Sequence, residues 1–291
     1  MSQTAKGPAI RNVSDTALWV AYYRAMETER ADALFCDPYA RKLAGERGEQ
    51  IVRKLRGGMR QSWSMIVRTA VMDEVLLKII AQHRIDMVIN LAAGLDARPL
   101  RLELPPSMRW VEVDLPGMIE YKTEMLKGEA AKCKLERISA DLADEKARQE
   151  VFARLNGSAQ RAFVITEGLL GYLAPEQVVG LARALHGCRN LKYWMTDIAS
   201  PKVKQMLDKH WGKQLKAAGA PIKFAPAEAE EFFRPHGWEP VEFRDFFKES
   251  IRLNRTMPMM WIVRMQMRII PKRTEKMMKQ WRSGVVLLRR P

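Results

Sequence analysis

A chain of 291 residues, 47% of them hydrophobic, is long enough for one large domain with its own core. Nothing in it reads as a transmembrane span, Met1 to Pro8 lack the apolar stretch of a secretory signal, and the scattered, odd-numbered Cys36, Cys133 and Cys188 fit a reducing, cytoplasmic setting better than a disulfide framework. The net charge of +15 is concentrated between Ile251 and Pro291, where eleven Lys and Arg stand against Glu275 alone, so it characterises that segment and not the rest of the chain.

The first third reads as helical. Ser14 or Asp15 can cap a helix reaching about Arg30, with Leu18, Trp19, Tyr22 and Met26 at helical spacing. Asp37-Pro38-Tyr39-Ala40 reads as a second helix start, with proline in the first turn. Gly57-Gly58 breaks the chain, and a third helix runs from about Ser62 to Gln82 on Ile66, Val67, Ala70, Val71, Val75, Leu76 and Ile79.

The pattern then becomes strand–helix alternation. Strands are predicted at Met87–Leu91, Arg109–Val113, Leu135–Ala140, Ala162–Thr166 and Asn190–Thr196, with helices near Gly117–Gly128, Asp144–Leu155 and Pro175–Leu185 between them. Such alternation predicts a doubly wound α/β fold with a mostly parallel sheet. Trp238–Phe243 and Gly284–Leu288 complete seven strands. Within one domain the expected division is a helical lid over residues 1–82, a cofactor-binding core over 83–250, a helical cap insert over 251–283 and the last strand over 284–291. The insert combines basic residues with Met257, Met259, Met260, Met265, Met267, Met277 and Met278. Methionine-rich surfaces adapt to varied apolar ligands. The basic residues suit an acidic substrate, an acidic carrier protein or an anionic membrane surface, or else form a solvated helix face.

In an open α/β sheet the ligand sits beyond the carboxyl ends of the strands, where the strand order reverses. Here those ends carry Ala92-Ala93-Gly94, Asp114, Asp141 and Glu167. The turn holds one glycine where a pyrophosphate-binding turn has three, and Asp96 follows it. Carboxylates accept hydrogen bonds from a ribose diol and an ammonium group. The pattern therefore favours a cofactor without phosphates, and S-adenosyl-L-methionine fits it.

Five blocks carry a resemblance: Ser64–Thr69, Val88–Arg98, Val111–Pro116, Ala140-Asp141-Leu142 and Thr166-Glu-Gly-Leu-Leu-Gly-Tyr-Leu-Ala-Pro-Glu-Gln177. With them the chain resembles the class I S-adenosyl-L-methionine-dependent methyltransferases of the leucine carboxyl methyltransferase type, in the branch that holds bacterial O-methyltransferases of secondary metabolism. The resemblance spans roughly Val13 to Phe247 and the last strand. It implies that Arg68 binds the carboxylate of the cofactor's methionine part and that Ala92, Ala93 and Gly94 form the turn beneath it. It also implies that Asp114, beside Leu115, accepts from the ribose, that Asp141 and Leu142 frame the adenine, that Glu167 lies near the amino group and that Tyr172 faces the acceptor. One departure stands out: the family has glycine where this chain has Ala92, and an added methyl crowds a turn that needs close backbone approach.

Each assignment has a structural alternative. Asp114 and Asp141 could cap the following helices, Arg68 could be a surface charge, and Tyr172 could be core. Tyr22 and Tyr23, on a helix that in this family covers the active site, are further candidates for the acceptor pocket. His83, His186, His210 and His236 have no metal-ligand spacing, so no metal is expected. No histidine is placed as a base, which favours an ionised carboxylate as methyl acceptor, on a metabolite or peptide. Methylation of a hydroxyl or carbon on an apolar metabolite is the alternative. A non-catalytic basic binding protein is another, with nucleic acid disfavoured because the basic tail has no recognised RNA-binding motif and only Trp261 and Trp281 in it could stack on bases.

Overall fold

The computed structural model describes residues 10–12, 14–55, 57–257, 265 and 280–291. Three helices come first: α1 (Asp15–Thr28), α2 (Ala40–Lys54) and α3 (Gly58–His83). Ser14 makes no side-chain cap bond; Asp15 instead accepts from the Arg11 N–H at 2.7 Å and from Arg47. Gly45, at φ 55°, interrupts α2. The alternating part comprises β1 (Met87–Leu91), α4 (Arg98–Arg101), β2 (Arg109–Asp114), α5 (Pro116–Met125), β3 (Lys134–Ser139), α6 (Glu145–Leu155), β4 (Ala162–Thr166), α7 (Pro175–Gly187) and β5 (Leu191–Ile198). It is followed by α8 (Pro201–Ala217), β6 (Glu239–Asp245), α9 (Phe246–Arg252) and β7 (Gly284–Arg289).

The strands form one sheet in the order β3-β2-β1-β4-β5-β7-β6. The four pairings from β3 to β5 are parallel, and β7 runs antiparallel to both of its neighbours. This is the doubly wound, mostly parallel, seven-stranded fold expected. The order reverses between β1 and β4, which places the switch point there. The residues between β6 and β7 that the sequence assigns to the cap insert lie, for 258–264 and 266–279, outside the described residues.

Strand pleating sorts the core into two faces. Met87, Ile89 and Leu91 pack with Val111, Val113 and Val164 against α6 and α7. Val88, Trp110, Phe163 and Ile165 face the other way, against Val67, Val71, Val75 and Ile79 of α3. A third cluster joins α1 and α2 to Ile66, Leu95, Met118 and the α8 residues Trp211 and Leu215. So α3 both covers the sheet and supports the helices above it. The chain switches direction on polar caps: Asp144 accepts from Lys146 and Ala147 N–H groups to start α6, Ser200 caps α8 before Pro201, and Asp245 caps α9. Among the described residues no helix is long and apolar enough to cross a membrane.

Candidate active site

A cleft of about 270 Å³ opens at the carboxyl ends of β1, β2 and β4, bounded by α1 and by one turn of α3. The turn after β1 forms its floor. Gly94 has φ 49°, and Ala92, which carries a side chain, has φ 53°. A side chain in the left-handed region crowds the following carbonyl, at a cost of roughly 1–2 kcal/mol. The turn is tied to β2 twice: Ala93 N–H donates to the Val113 carbonyl at 3.2 Å, and Gly94 N–H donates to Asp114 Oδ2 at 2.6 Å.

Asp114 is therefore more than a ligand candidate. Its Oδ1 accepts from Leu115 N–H at 2.7 Å, one residue before α5, so the carboxylate links the turn, β2 and the next helix while lining the cleft. Burial pushes its pKa up, against the pull of these two backbone donors. One N–H on each oxygen leaves lone pairs for a diol. Asp141 also lines the cleft, beside Leu142. It accepts from Ala143 N–H at 2.9 Å, while Asp144 caps α6, so the capping alternative for Asp141 fails.

The remaining charges form one buried chain. Arg68 is 7% exposed, not a surface residue. Its Nε donates to Glu167 Oε1 and its Nη1 to Asp197 Oδ2, each at 3.0 Å, while Nη2 takes part in neither pair. Glu167 Oε2 accepts from Arg98 Nη1 at 2.8 Å, and Arg98 continues to Asp96 at 2.7 Å and Asp73 at 2.6 Å. Arg101 reaches Asp73 at 2.9 Å, and Arg24 pairs with Asp37 at 2.8 Å. Burial alone raises a carboxyl's pKa, yet Arg98 and Arg68 hold Glu167 below its ordinary value. Arg98, Lys122, Arg101 and Arg24 likewise hold Asp96 well below the carboxylate range against its burial. Asp96 is thus ionised but neutralised by its partners. Its presence alone argues less strongly against a phosphate than the sequence suggests. The missing glycines carry that argument.

Sequence reasoning passes over Asp73, Asp96 as a structural ion, Arg98, Asp197 and Arg24. The available signal was a charge embedded in an apolar run, as Asp73 is between Met72 and Val75, because a buried charge needs a partner.

Tyr172 lies in a 3-10 turn, Leu170–Tyr172, and lines the cleft, so it is not simply core. Burial raises its pKa, and a hydrogen bond with Thr16 of α1 pulls the other way. Tyr22 and Tyr23 do not join it. Tyr23 Oη donates to the Gly58 carbonyl at 2.6 Å, and Tyr22 packs beneath the Arg41 guanidinium, both in the cluster between α1 and α2. Helical spacing turns these tyrosines away; Thr16, Ala17, Trp19, Val20 and Arg24 are the α1 residues that line the cleft. All four histidines lie elsewhere: His83 against Tyr193, His186 against Trp238, His236 against Phe232, and His210 on the Met206 carbonyl. Among the described residues no group of His, Cys, Asp or Glu has metal-site geometry.

The geometry accepts the cofactor expected. Asn90 lines the cleft at the end of β1, and its buried Oδ1 has no partner among the described residues, an acceptor suited to an ammonium group. Comparisons with known proteins agree. In fold, the chain matches a methyltransferase-named structure from Thermobifida fusca (TM-score 0.60, 14% identity, 97% and 96% of the two chains) and a DUF574 family protein from Streptomyces avermitilis (TM-score 0.58, 15% identity, 95% and 97%). In sequence, it is 30% identical over 268 residues to a Mycolicibacterium paratuberculosis protein, covering 81% of this chain and 84% of that one. A Streptomyces coelicolor protein is 35% identical over 184 residues, 59% of this chain. The match spans 63% of that relative's length. Both relatives are named, provisionally, as S-adenosyl-L-methionine-dependent methyltransferases. The leucine carboxyl methyltransferase family model matches residues 17–186, a stretch that holds α1, the turn after β1 and the acids ending β2 and β4. By that match and by the architecture of its cleft, the chain belongs to the leucine carboxyl methyltransferase family.

Proposed function

We propose that this chain transfers a methyl group from S-adenosyl-L-methionine to a carboxylate of a metabolite or peptide, forming a methyl ester. Bound in the cleft, the cofactor supplies a methyl on a sulfonium, whose positive charge disappears in the transition state. The protein's contribution is accordingly alignment and exclusion of water. In this reading Arg68, braced by Glu167 and Asp197, turns its Nη2 to the methionine carboxylate. Asn90 Oδ1 takes the ammonium group, with Glu167 nearby. Ala92, Ala93 and Gly94 lie beneath that moiety. Asp114 accepts from the ribose at the Leu115 turn, and Asp141 with Leu142 frames the adenine. Tyr172 and Trp19 face the acceptor. Residues 1–82 act as the lid, with Thr16 and Trp19 as its contacts.

The observation that carries the carboxylate acceptor is the position of the histidines. None lines the cleft, and Tyr172, with its pKa raised, stays protonated at neutral pH. A hydroxyl acceptor needs a base, whereas a carboxylate is already ionised. Calorimetry tests cofactor binding: Asp114→Ala should weaken it about tenfold, about 1.4 kcal/mol, and unchanged affinity removes the proposal's footing. Transferred label should be released as methanol by mild alkali. Alkali-stable label identifies a hydroxyl or carbon acceptor instead.

A docking role for residues 251–283 toward an acidic carrier or an anionic membrane surface is a separate proposal. Arg252, Arg255 and Arg282 are committed to Glu74 and Glu249, to Glu27 and to Glu230. Docking would therefore rest on basic residues among 258–279, and binding to anionic vesicles that ignores salt would exclude it.

A further inference from the structure

Helix α8 carries a face that neither the fold nor the cleft uses. Its apolar residues Trp211 and Leu215 are buried against α1 and α2. Opposite them stand Lys202, Lys209, Lys213 and Lys216, all exposed. Their spacings of seven, four and three residues bring them into one stripe along the helix. That stripe is about 21 Å long, at about 1.5 Å per residue. None of the four lysines makes an ion pair among the described residues. The acid that α8 does carry, Asp208, lies on another side of the helix and is taken by Lys204 at 2.6 Å. Lys209, Lys213 and Lys216 repel one another at these spacings, and an anionic partner would relieve that cost. Arg60, which lines a cavity with Met206, Leu207 and His210 of α8, is a fifth exposed cation without an ion pair among the described residues, and Met59 next to it is 49% exposed.

We propose that this lysine face docks the protein on an anionic lipid surface. A specific protein interface is built around desolvated aromatic or aliphatic anchors. The stripe offers none, because the tryptophan and leucine of α8 point inward. A recognised phosphate or carboxylate is commonly gripped by the planar fork of arginine, whereas the stripe is made of lysines, flexible point charges that suit a layer of mobile headgroups. Four to eight such charges on an amphipathic helix are what an anionic bilayer attracts. The position of α8 also gives docking a use. Trp211 stands in ring contact with Trp19, centroids 5.5 Å apart, and Trp19 lines the cofactor cleft, so α8 backs the wall of that cleft. The inference goes beyond the carboxylate reading and does not depend on it.

The test is sedimentation of the full chain with vesicles of phosphatidylcholine and phosphatidylglycerol in equal parts, beside vesicles of phosphatidylcholine alone. Binding should appear with the anionic vesicles, be absent with the neutral ones, and weaken as salt is raised. Each lysine is worth about fivefold in partitioning, so Lys209→Gln with Lys213→Gln should weaken binding about 25-fold, and Lys209→Glu with Lys213→Glu further. The positions are exposed and the substitutes are good helix formers, so both variants should fold. Lys127→Gln with Lys134→Gln makes the same change of net charge at exposed positions outside α8 and should leave binding nearly unchanged. Equal losses in the two Gln pairs would mean that vesicles sense net charge and not the stripe, and overturn the proposal. Binding that survives both α8 variants overturns it too, whichever residues among 258–279 then carry it. So does an α8-dependent affinity for polyglutamate or duplex DNA with none for the vesicles, since the occupant is then an acidic protein or a nucleic acid. Calorimetry with S-adenosyl-L-homocysteine should give the same affinity in the wild type and the α8 variants; a parallel loss there would assign the lysines to the cleft and overturn the docking face.

Discussion

Ala92 concentrates at one residue the tension between fold and site. Its backbone is left-handed, at φ 53°, and its methyl lines the cleft. Glycine there would relieve roughly 1–2 kcal/mol of backbone strain and give back roughly 0.5–1 kcal/mol through the freedom it adds to the unfolded chain. Ala92→Gly should therefore stabilise the protein by about 0.5–1 kcal/mol, a rise of about 2 °C in thermal midpoint, and tighten cofactor binding by clearing the turn. Differential scanning calorimetry with and without S-adenosyl-L-methionine checks both; a lower midpoint would show that the methyl makes contacts worth more than the strain. The sequence announced this position because the turn is local, running from Ala92 to Ala97 between β1 and α4. Tyr22 and Tyr23 were misread for the opposite reason. A helix offers several faces, and which one meets a ligand depends on α2 and on Gly58, far away in sequence.

At the scale of elements, strands were legible to within about two residues at each end; burial makes β1 and β4, and most of β2, β5 and β7, short apolar runs, whereas the edge strands β3 and β6 are partly exposed and mixed in composition. Helix α8 was not assigned. Its start at Ser200-Pro201 and its apolar positions Val203, Leu207, Trp211 and Leu215 follow helical rules, and it fills the interval between β5 and β6, so the signal for it lay in the sequence. The ion chain was illegible as a whole, because its members come from α1, α3, α4, β5 and loops, among them the one that follows β4, and spacing says nothing of partners. That chain makes a prediction at its centre. Glu167 is held ionised by Arg98 and Arg68, so its folded pKa lies below its unfolded value near 4.3. A lowered acid contributes stability above the unfolded pKa and loses it as pH falls through the folded one. Glu167→Gln should cost about 3 kcal/mol in urea unfolding at pH 7, since it leaves two buried guanidinium groups short of charge. The variant should also unfold with a shallower acid limb below about pH 4, by up to one proton. Asp114, raised by burial, acts with the opposite sign, so the wild type must be subtracted from the variant at each pH. An acid limb identical in both would show that Glu167 titrates the same folded and unfolded.

Across the whole molecule, one ion pair ties the segment that follows α9 to the first helix. Arg255, three residues beyond α9, is 7% exposed and donates through Nε and Nη2 to Glu27 of α1 at 3.0 and 2.8 Å, across 228 residues of sequence. Glu27 is wholly buried and also accepts from Leu34 N–H at 2.8 Å. Arg255 thus fastens to the helix that presents Thr16, Trp19 and Val20 to the cleft. Much of the charge that singled out the C-terminal segment is, where the structure describes it, intramolecular. Removing one partner of a buried pair leaves the other uncompensated, at about 3–5 kcal/mol, whereas neutralising both costs far less. Arg255→Met should accordingly lose about 3 kcal/mol in urea unfolding. The double variant with Glu27→Gln, whose amide oxygen can still accept from Leu34, should recover more than 1 kcal/mol of that loss. Because α1 carries one wall of the cleft, Arg255→Met should weaken S-adenosyl-L-methionine binding and the double variant should restore it, by calorimetry at a temperature where both remain folded. Additive stabilities in the double-mutant cycle would mean that the two side chains stabilise the fold independently. Unchanged cofactor affinity in Arg255→Met would mean that α1 holds its wall of the cleft without this tie.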